Sequence, residues 1–451
     1  MHINNMKRMK IRFEHIGAIK KVDLDLSKKL IVFCGPNGTG KTYTAYATFG
    51  FLDLLMVGYQ IFSLNELIEK KTLEVVLDYD SLYKIKKSYA SYLTQNIERV
   101  FGVDKKAYFK DFKTSIVVSK DDFQTEIHKK TLSYTYSYEN IKIKYDKKAN
   151  SDTLIISLIG QVSLNFSTNA ETYHLANFTK YICHNTIMSS HILPVERNSV
   201  YTFISELTLN KIDNNNLTQE EIKNRYPQAI RESLRFAGDL ANIRKKKSEY
   251  EELAIEIEED ILHGKILISD DGELQFQPKK CIEKILPIHL TASIIKNLSG
   301  LLIYLKHLAK NNDLLIIDEP EIGLHPDNQI LLIRILAKMI NKGLRLLIST
   351  HSDYIIRELN NLIMLSTANS NAKISDLAQT YNYQKNEFIS PSDVGAYLFN
   401  YNEKGEIVVE NLSIENNGFE ISTIDKSISL LNNLSMELFW ALNEEGNDTV
   451  E

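Results

Sequence analysis

The chain of 451 residues is poor in cysteine, with three, and none stands in a CxxC pair. Cys34, Cys183 and Cys281 lie far apart, and their odd number excludes a disulfide framework, which points to a reducing, cytoplasmic compartment. No apolar run approaches the ~18–20 residues that cross a bilayer, so the sequence predicts no membrane partner. The first twelve residues are polar and lack the apolar centre of a secretory leader. Proline is scarce at 8, and tryptophan occurs once, at Trp440. Neither charge sign dominates: 53 Lys and Arg stand against 58 Asp and Glu. Net charge therefore neither proposes nor excludes nucleic acid.

What is present is ordinary globular composition, 43% hydrophobic and 25% charged, with length for two or three lobes. Ile11-Arg12-Phe13 and Val22 to Leu26 read as strands around a turn at Gly17. Leu30 to Cys34 is apolar without interruption, the pattern of a parallel strand buried on both faces. Leu314 to Ile317 repeats that pattern, and Leu344 to Ile348 is largely apolar. Each run ends in polar residues and is followed by a helical period, after Thr42, from Gln329 to Ile340 and from Tyr354 to Leu359. The order implies a doubly wound, mostly parallel α/β sheet with its chemistry at the carboxyl ends of the strands.

Between these parts the pattern changes. Leu132 to Tyr138 and Ile141 to Tyr145 alternate around Glu139-Asn140 and predict a hairpin, with a further strand from Leu154 to Leu158. Gln219 to Leu262 is charged with helical period, and Lys265 to Phe276 predicts a hairpin at Asp270-Asp271-Gly272. Ile294 to Leu308 has the spacing of a helix. The tail predicts short strands and an amphipathic helix on Ile428, Leu431, Leu434, Leu438 and Leu442. The expected division is residues 1–60 and 286–370 as the two parts of a core, 61–190 as a β-rich, Lys/Tyr-rich insertion, 191–285 as a charged helical segment with a hairpin, and 371–451 as C-terminal strands and helix.

Gly35-Pro36-Asn37-Gly38-Thr39-Gly40-Lys41-Thr42 matches G-x-x-x-x-G-K-[ST], between a buried strand and a helix. Gly35, Asn37, Gly38, Thr39 and Gly40 supply a loop whose amides can ring a phosphate, and the helix start adds positive partial charge. Lys41 suits the β- and γ-phosphates, and the Thr42 hydroxyl suits Mg²⁺. Asp318-Glu319 ends the second apolar strand. Asp318 suits the metal, and Glu319, leaving the strand, suits a water that attacks phosphorus. His351 ends the third strand at the same rim, where an imidazole can stabilise developing charge.

The order of these motifs, with Leu324-His325-Pro326-Asp327-Asn328-Gln329 and Thr350-His351-Ser352, resembles the ABC-type ATPases. It is similar to the heads of chromosome-maintenance and double-strand-break-repair ATPases and to the ATPase half of the overcoming-lysogenisation-defect nucleases. The likeness covers about residues 9–60 and 286–365, with Leu193 to Arg197 as a further match. It implies an ABC-type head with an antiparallel β lobe and a mixed β-rich and helical insertion. It also implies two heads that sandwich two ATPs with Mg²⁺, with 324–329 crossing the interface and a signature serine capping the partner's nucleotide. L-S-G-G-Q itself is absent. Ser299 in Leu298-Ser299-Gly300 and Ser293 at the start of the helix compete, and the helix start favours Ser293. Gln161 is a weak candidate for the glutamine loop. Glu196-Arg197 fits part of that sensing role, and Arg197 fits a surface ion pair equally well.

The resemblance extends to stand-alone members of this group and to the ATPases of the PARIS and Septu anti-phage systems. It implies a homodimer or higher homo-oligomer, a separate effector nuclease or toxin, and DNA or a phage protein as trigger. Two alternatives stand beside defence: a DNA-repair or DNA-scaffolding ATPase, and an ATP-glued scaffold that sequesters a toxin without turnover. For DNA, Lys84, Lys86, Lys87, Lys105, Lys106, Lys110 and Lys113 lie among Tyr79, Tyr83, Tyr89, Tyr92 and Tyr108, a pattern that serves either phosphates and bases or a solvated face over a tyrosine core.

Overall fold

The computed structural model describes residues 10–53, 62–138, 141–160, 178, 181–182, 187, 189–201, 226–367 and 372–444. Gln161 and Cys183 lie outside them.

The strands are β1 (Lys10–Ile16), β2 (Ile19–Asp25), β3 (Leu30–Cys34), β4 (Thr72–Val76), β5 (Lys113–Val117), β6 (Leu132–Tyr138), β7 (Ile141–Lys147), β8 (Thr153–Ile159), β9 (Ser190–Leu193), β10 (Gly264–Ile268), β11 (Leu274–Pro278), β12 (Leu286–Pro287), β13 (Leu314–Asp318), β14 (Arg345–Thr350), β15 (Val394–Tyr401) and β16 (Ile407–Leu412). The helices used below are α1 (Lys41–Asp53), α2 (Tyr79–Phe101), α3 (Gln228–Gly238), α4 (Ser293–Ile303), α5 (Pro326–Asn341), α6 (Asp353–Thr367) and α7 (Ser422–Glu444).

Nine strands form one mixed sheet in the order β5-β1-β2-β16-β15-β3-β14-β13-β9. The half from β15 to β9 is parallel throughout. Its apolar runs are continuous because both faces are covered. Leu30, Val32 and Cys34 of β3 enter the core beneath α4, α5 and α6, while Ile31 and Phe33 enter the core beneath α1 and α2. Strand β13 divides likewise, with Leu315 and Ile317 on one side and Leu314 and Ile316 on the other. Such two-sided burial selects branched aliphatic residues and leaves polar residues only at the strand ends.

The mostly parallel α/β sheet is the expected class, but the chain is shared out differently. Residues 61–190 hold a β-rich part with its own core, from Phe62 to Ile182, but not all of them belong to it. They carry the predicted hairpin, β6 with β7, inside the antiparallel sheet β4-β8-β7-β6. They also carry the 23-residue helix α2, whose Tyr89 to Phe101 half packs in the core with α1. A Cβ on Gly50 of α1 would come within 2.4 Å of Val100, so glycine there permits the close approach of the two helices. Strand β5 extends the main sheet beside β1. The tail is equally central, since β15 pairs directly with β3. The charged segment is helical from Gln228 among the described residues, and it is broken into short pieces before the β10–β11 hairpin.

Candidate functional site

Strands β3, β14 and β13 run side by side in one direction. Cys34 is opposite Thr350, Ser349 is opposite Asp318, and on the far side Ile317 is opposite Leu193 of β9. Four loops distant in sequence therefore leave one edge of the sheet together.

The first is the glycine-rich loop, which opens directly into α1. Gly35 has φ 126°, and a Cβ there would lie 1.9 Å from the Phe399 carbonyl oxygen on β15. No L side chain fits that crossing. Asn37 and Gly38 are exposed at the tip, and Thr39 is buried with its hydroxyl donating to the Pro36 carbonyl (2.8 Å). The Lys41 ammonium donates to the carbonyls of Gly35 (2.9 Å) and Pro36 (2.8 Å). Burial pulls the lysine down from 10.5 to about 8, against the opposing pull of Glu319 and Asp318.

The second loop brings the acids. The Thr42 hydroxyl donates to Asp318 Oδ2 (2.9 Å), and the Ser349 hydroxyl donates to Asp318 Oδ1. Burial raises the Asp318 carboxyl, and these two donors lower it again in part. Glu319 has left-handed backbone, φ 49°, held by its amide donating to the Ser349 carbonyl (3.1 Å) and lying 3.2 Å from the Ser349 hydroxyl. Its Oε1 lies 3.5 Å from His351 Nε2, and that imidazole keeps the Glu319 carboxyl below its usual range. Among the described residues no cluster of three or more His, Cys, Asp or Glu side chains could hold a metal by itself. One hydroxyl and one carboxylate oxygen beside a phosphate loop fit Mg²⁺, which takes few protein ligands and completes its shell with phosphate and water.

Two more residues complete the site: Glu321, which stands in no motif, and Arg197, which closes the Leu193 to Arg197 match. Glu321 accepts from the Thr350 hydroxyl (2.8 Å) and the His351 amide (2.7 Å), so a buried carboxyl ties the acidic loop to the histidine turn. Burial raises its pKa. Arg197, just past β9, is 2% exposed. Its guanidinium donates to the carbonyls of Pro194 (3.0 Å), Asn297 (3.1 Å), Asp318 (2.7 Å) and Glu319 (2.8 Å). The expected surface ion pair is thus replaced by a buried clamp on backbone, and its neighbour Glu196 receives the Tyr46 hydroxyl at 3.4 Å. The one sequence signal was position: an arginine shortly after a short apolar strand.

The two serines separate. Ser299 is fully buried, with its hydroxyl bonded back to the Ile295 carbonyl (2.6 Å). Ser293 is exposed as the first residue of α4. The segment 324–329 starts α5. Pro326 occupies its first turn, and Gln329 Oε1 receives the Ser352 hydroxyl (2.5 Å) beside His351.

The Lys/Tyr pattern largely resolves into core. Tyr89 and Lys86 are buried, the Lys86 ammonium lying 4.7 Å from the Phe123 ring centroid. Tyr79 is buried with its hydroxyl on Asp152 (2.6 Å), and Tyr83 bonds the Val118 carbonyl (2.9 Å). Lys84, Lys87, Lys106, Lys110, Lys113 and Tyr108 remain exposed, and Lys105 bonds the Thr94 carbonyl. The tyrosines that base stacking would need are mostly committed to packing.

A phosphate loop, an Asp-Glu strand end and a histidine turn on one parallel edge define the class of P-loop nucleotide-binding ATPases. The chain matches the AAA ATPase domain family over residues 6–356 and belongs to it. Three solved structures are similar, each 12% identical. One is an Smc head bound to the C-terminal winged-helix domain of ScpA, covering 90% of this chain and 98% of that one at TM-score 0.35. Another is an Smc head domain with an extended coiled coil, bound to the C-terminal domain of ScpA, from Pyrococcus furiosus, with 95% and 99% covered at TM-score 0.32. The third is the SMC head domain of Thermotoga maritima, with 78% and 92% covered at TM-score 0.29. No curated protein matches the chain. Among the described residues no helix is long and apolar enough to cross a membrane.

Proposed function

We propose that this chain hydrolyses ATP and closes as a two-fold pair around Mg-ATP, so that hydrolysis switches conformation. The observation that carries this is the Thr42–Asp318 hydrogen bond of 2.9 Å, which joins the ends of two motifs 276 residues apart, with Glu319 and His351 at the same rim. The amides of Gly38 and Gly40 and the ammonium of Lys41 would bind phosphate oxygens. Thr42 and Asp318 would hold Mg²⁺, which neutralises charge on the β- and γ-phosphates when bound. Glu319 would orient a water and accept its proton as oxygen attacks the γ-phosphorus and the bond to ADP breaks. His351, 3.5 Å from Glu319, would stabilise charge on the γ-phosphoryl group. Exposed Ser293 would cap the nucleotide of the partner copy.

The setting we infer is anti-phage defence. A trigger would shift the pair, and a separate nuclease would respond. This rests on the resemblance of the motif order to stand-alone defence ATPases.

Glu319→Gln tests the enzymatic part. The variant should retain ATP through gel filtration, run at twice the monomer mass with ATP, and lose about 100-fold or more in turnover, as expected when the group that handles the water is removed. Turnover at the wild-type level would refute the role of Glu319.

A further inference from the structure

The histidine turn begins where the sheet stops. Strand β14 pairs with β3 as far as Thr350, opposite Cys34, so His351 is the first residue beyond the ladder. Helix α6 starts only at Asp353. Neither element therefore holds the His351 backbone, and a side chain does so instead. Glu321 Oε1 accepts both the His351 amide (2.7 Å) and the Thr350 hydroxyl (2.8 Å). The Thr350 hydroxyl oxygen in turn accepts the Ser352 amide (3.0 Å), which closes the turn on itself. The other carboxyl oxygen, Glu321 Oε2, is buried with no hydrogen-bond partner, so Oε1 alone makes the anchor. Glu321 follows Glu319 by two residues. One short loop thus carries the carboxylate that lies 3.5 Å from the imidazole and the carboxyl that holds the backbone beneath that imidazole.

We propose, building on the roles of Glu319 and His351 in hydrolysis, that Glu321 is a positioning residue for that reaction. It fixes the 350–352 turn so that the imidazole of His351 meets Glu319 and the γ-phosphoryl group. The far end of the turn has its own anchor, Gln329 Oε1 receiving the Ser352 hydroxyl, which leaves the histidine itself to Glu321. Glu321 does not act by touching phosphate. Its Oε1 is occupied by two donors and its Oε2 is buried, so neither oxygen is offered to the open rim. It acts through His351. Without the anchor the turn is free to drift, and a displacement of about 1 Å at a reacting group can cost on the order of 100-fold in rate while binding is kept.

The full chain is tested as Glu321→Ala, Glu321→Gln, His351→Ala and Glu321→Ala/His351→Ala, by turnover at saturating ATP and by fluorescent-nucleotide titration. Glu321→Ala should lower kcat by about 30-fold and leave ATP affinity within about twofold of wild type. Glu321→Gln should restore most of that loss. Its amide oxygen accepts the same two donors, and its amide nitrogen replaces an oxygen with no hydrogen bond to lose. The double variant should be no slower than His351→Ala alone, because residues that act as one unit do not add. Where the Ala variant does not fold, Thr350→Val removes one of the two bonds and should slow turnover less, again only with His351 present. Wild-type turnover in Glu321→Ala overturns the proposal. So does a further loss in the double variant, a fall in ATP affinity that matches the fall in kcat, or a Gln variant as slow as Ala. Slow Glu321→Ala beside a His351→Ala chain at the wild-type rate overturns it too, since the route through the histidine is then closed. The role of Glu319 stands or falls separately, on the turnover of Glu319→Gln.

Discussion

Lys41 shows what a single residue concedes to its site. The fold places its ammonium among loop carbonyls and out of water, and burial lowers it to about 8. The sign for stability follows. Below about pH 8 the folded chain carries the full cost of a buried charge. That cost fades as pH rises from about 8 toward 10.5, because only the unfolded chain still holds the proton there. For binding the sign is opposite, since a triphosphate needs the charged lysine. Nucleotide affinity should therefore be flat below pH 7 and fall toward tenfold per unit above about pH 8, measured by fluorescent-nucleotide titration. Lys41→Ala should bind weakly with no such slope. A wild-type profile that stays flat to pH 10 would contradict the burial argument.

At the scale of elements, the short strand β9 does more than extend the sheet. It delivers Arg197 to the back of the acidic loop, where one guanidinium serves carbonyls from β9's own end, from α4 and from the β13 tip. Arg197→Met removes these donors and leaves buried carbonyls without partners. It should cost about 3–5 kcal/mol, read as a lower urea midpoint. Arg197→Lys keeps the charge but not the planar fork, and should fall between the two. A Met variant as stable as wild type would show that the carbonyls find other partners. Elements also mark the border of what the sequence made legible. The hairpin of β6 and β7 was plain because both strands and their link are contiguous, and period-two alternation is a local property. Helix α2 was harder to read, because its two ends pack in different cores and its buried face, regular in spacing from Tyr79 to Phe101, includes Lys86 and two tyrosines.

For the whole molecule the decisive question is whether nucleotide joins two copies. Ser293 is exposed at the head of α4, while its phosphate-binding elements lie in the same chain. If Ser293 serves the partner's nucleotide, Ser293→Arg should leave ATP binding near wild type, abolish the ATP-dependent rise in mass and reduce turnover by about 100-fold. Mixing it with Lys41→Ala should restore part of the activity, since such a pair retains one site with both an intact phosphate loop and an intact Ser293. Loss of ATP binding in the Arg variant alone would place Ser293 within its own chain's site.

By itself the sequence determined what depends on neighbours along the chain. The glycine loop between strand and helix, the apolar runs that end in Asp318-Glu319 and in His351, and the helix start that favoured Ser293 are all local patterns of sterics and burial. Only the tertiary structure decided which distant segments meet. It set β15, from the tail, against the phosphate-loop strand, put β5 at the edge of the main sheet, turned Arg197 inward onto four carbonyls and left the leucine face of α7 in solvent. The reason is physical. Periodicity records that a side chain is buried or that a backbone is extended, but it carries no record of the partner. That choice belongs to sheet register and to the packing of both faces at once.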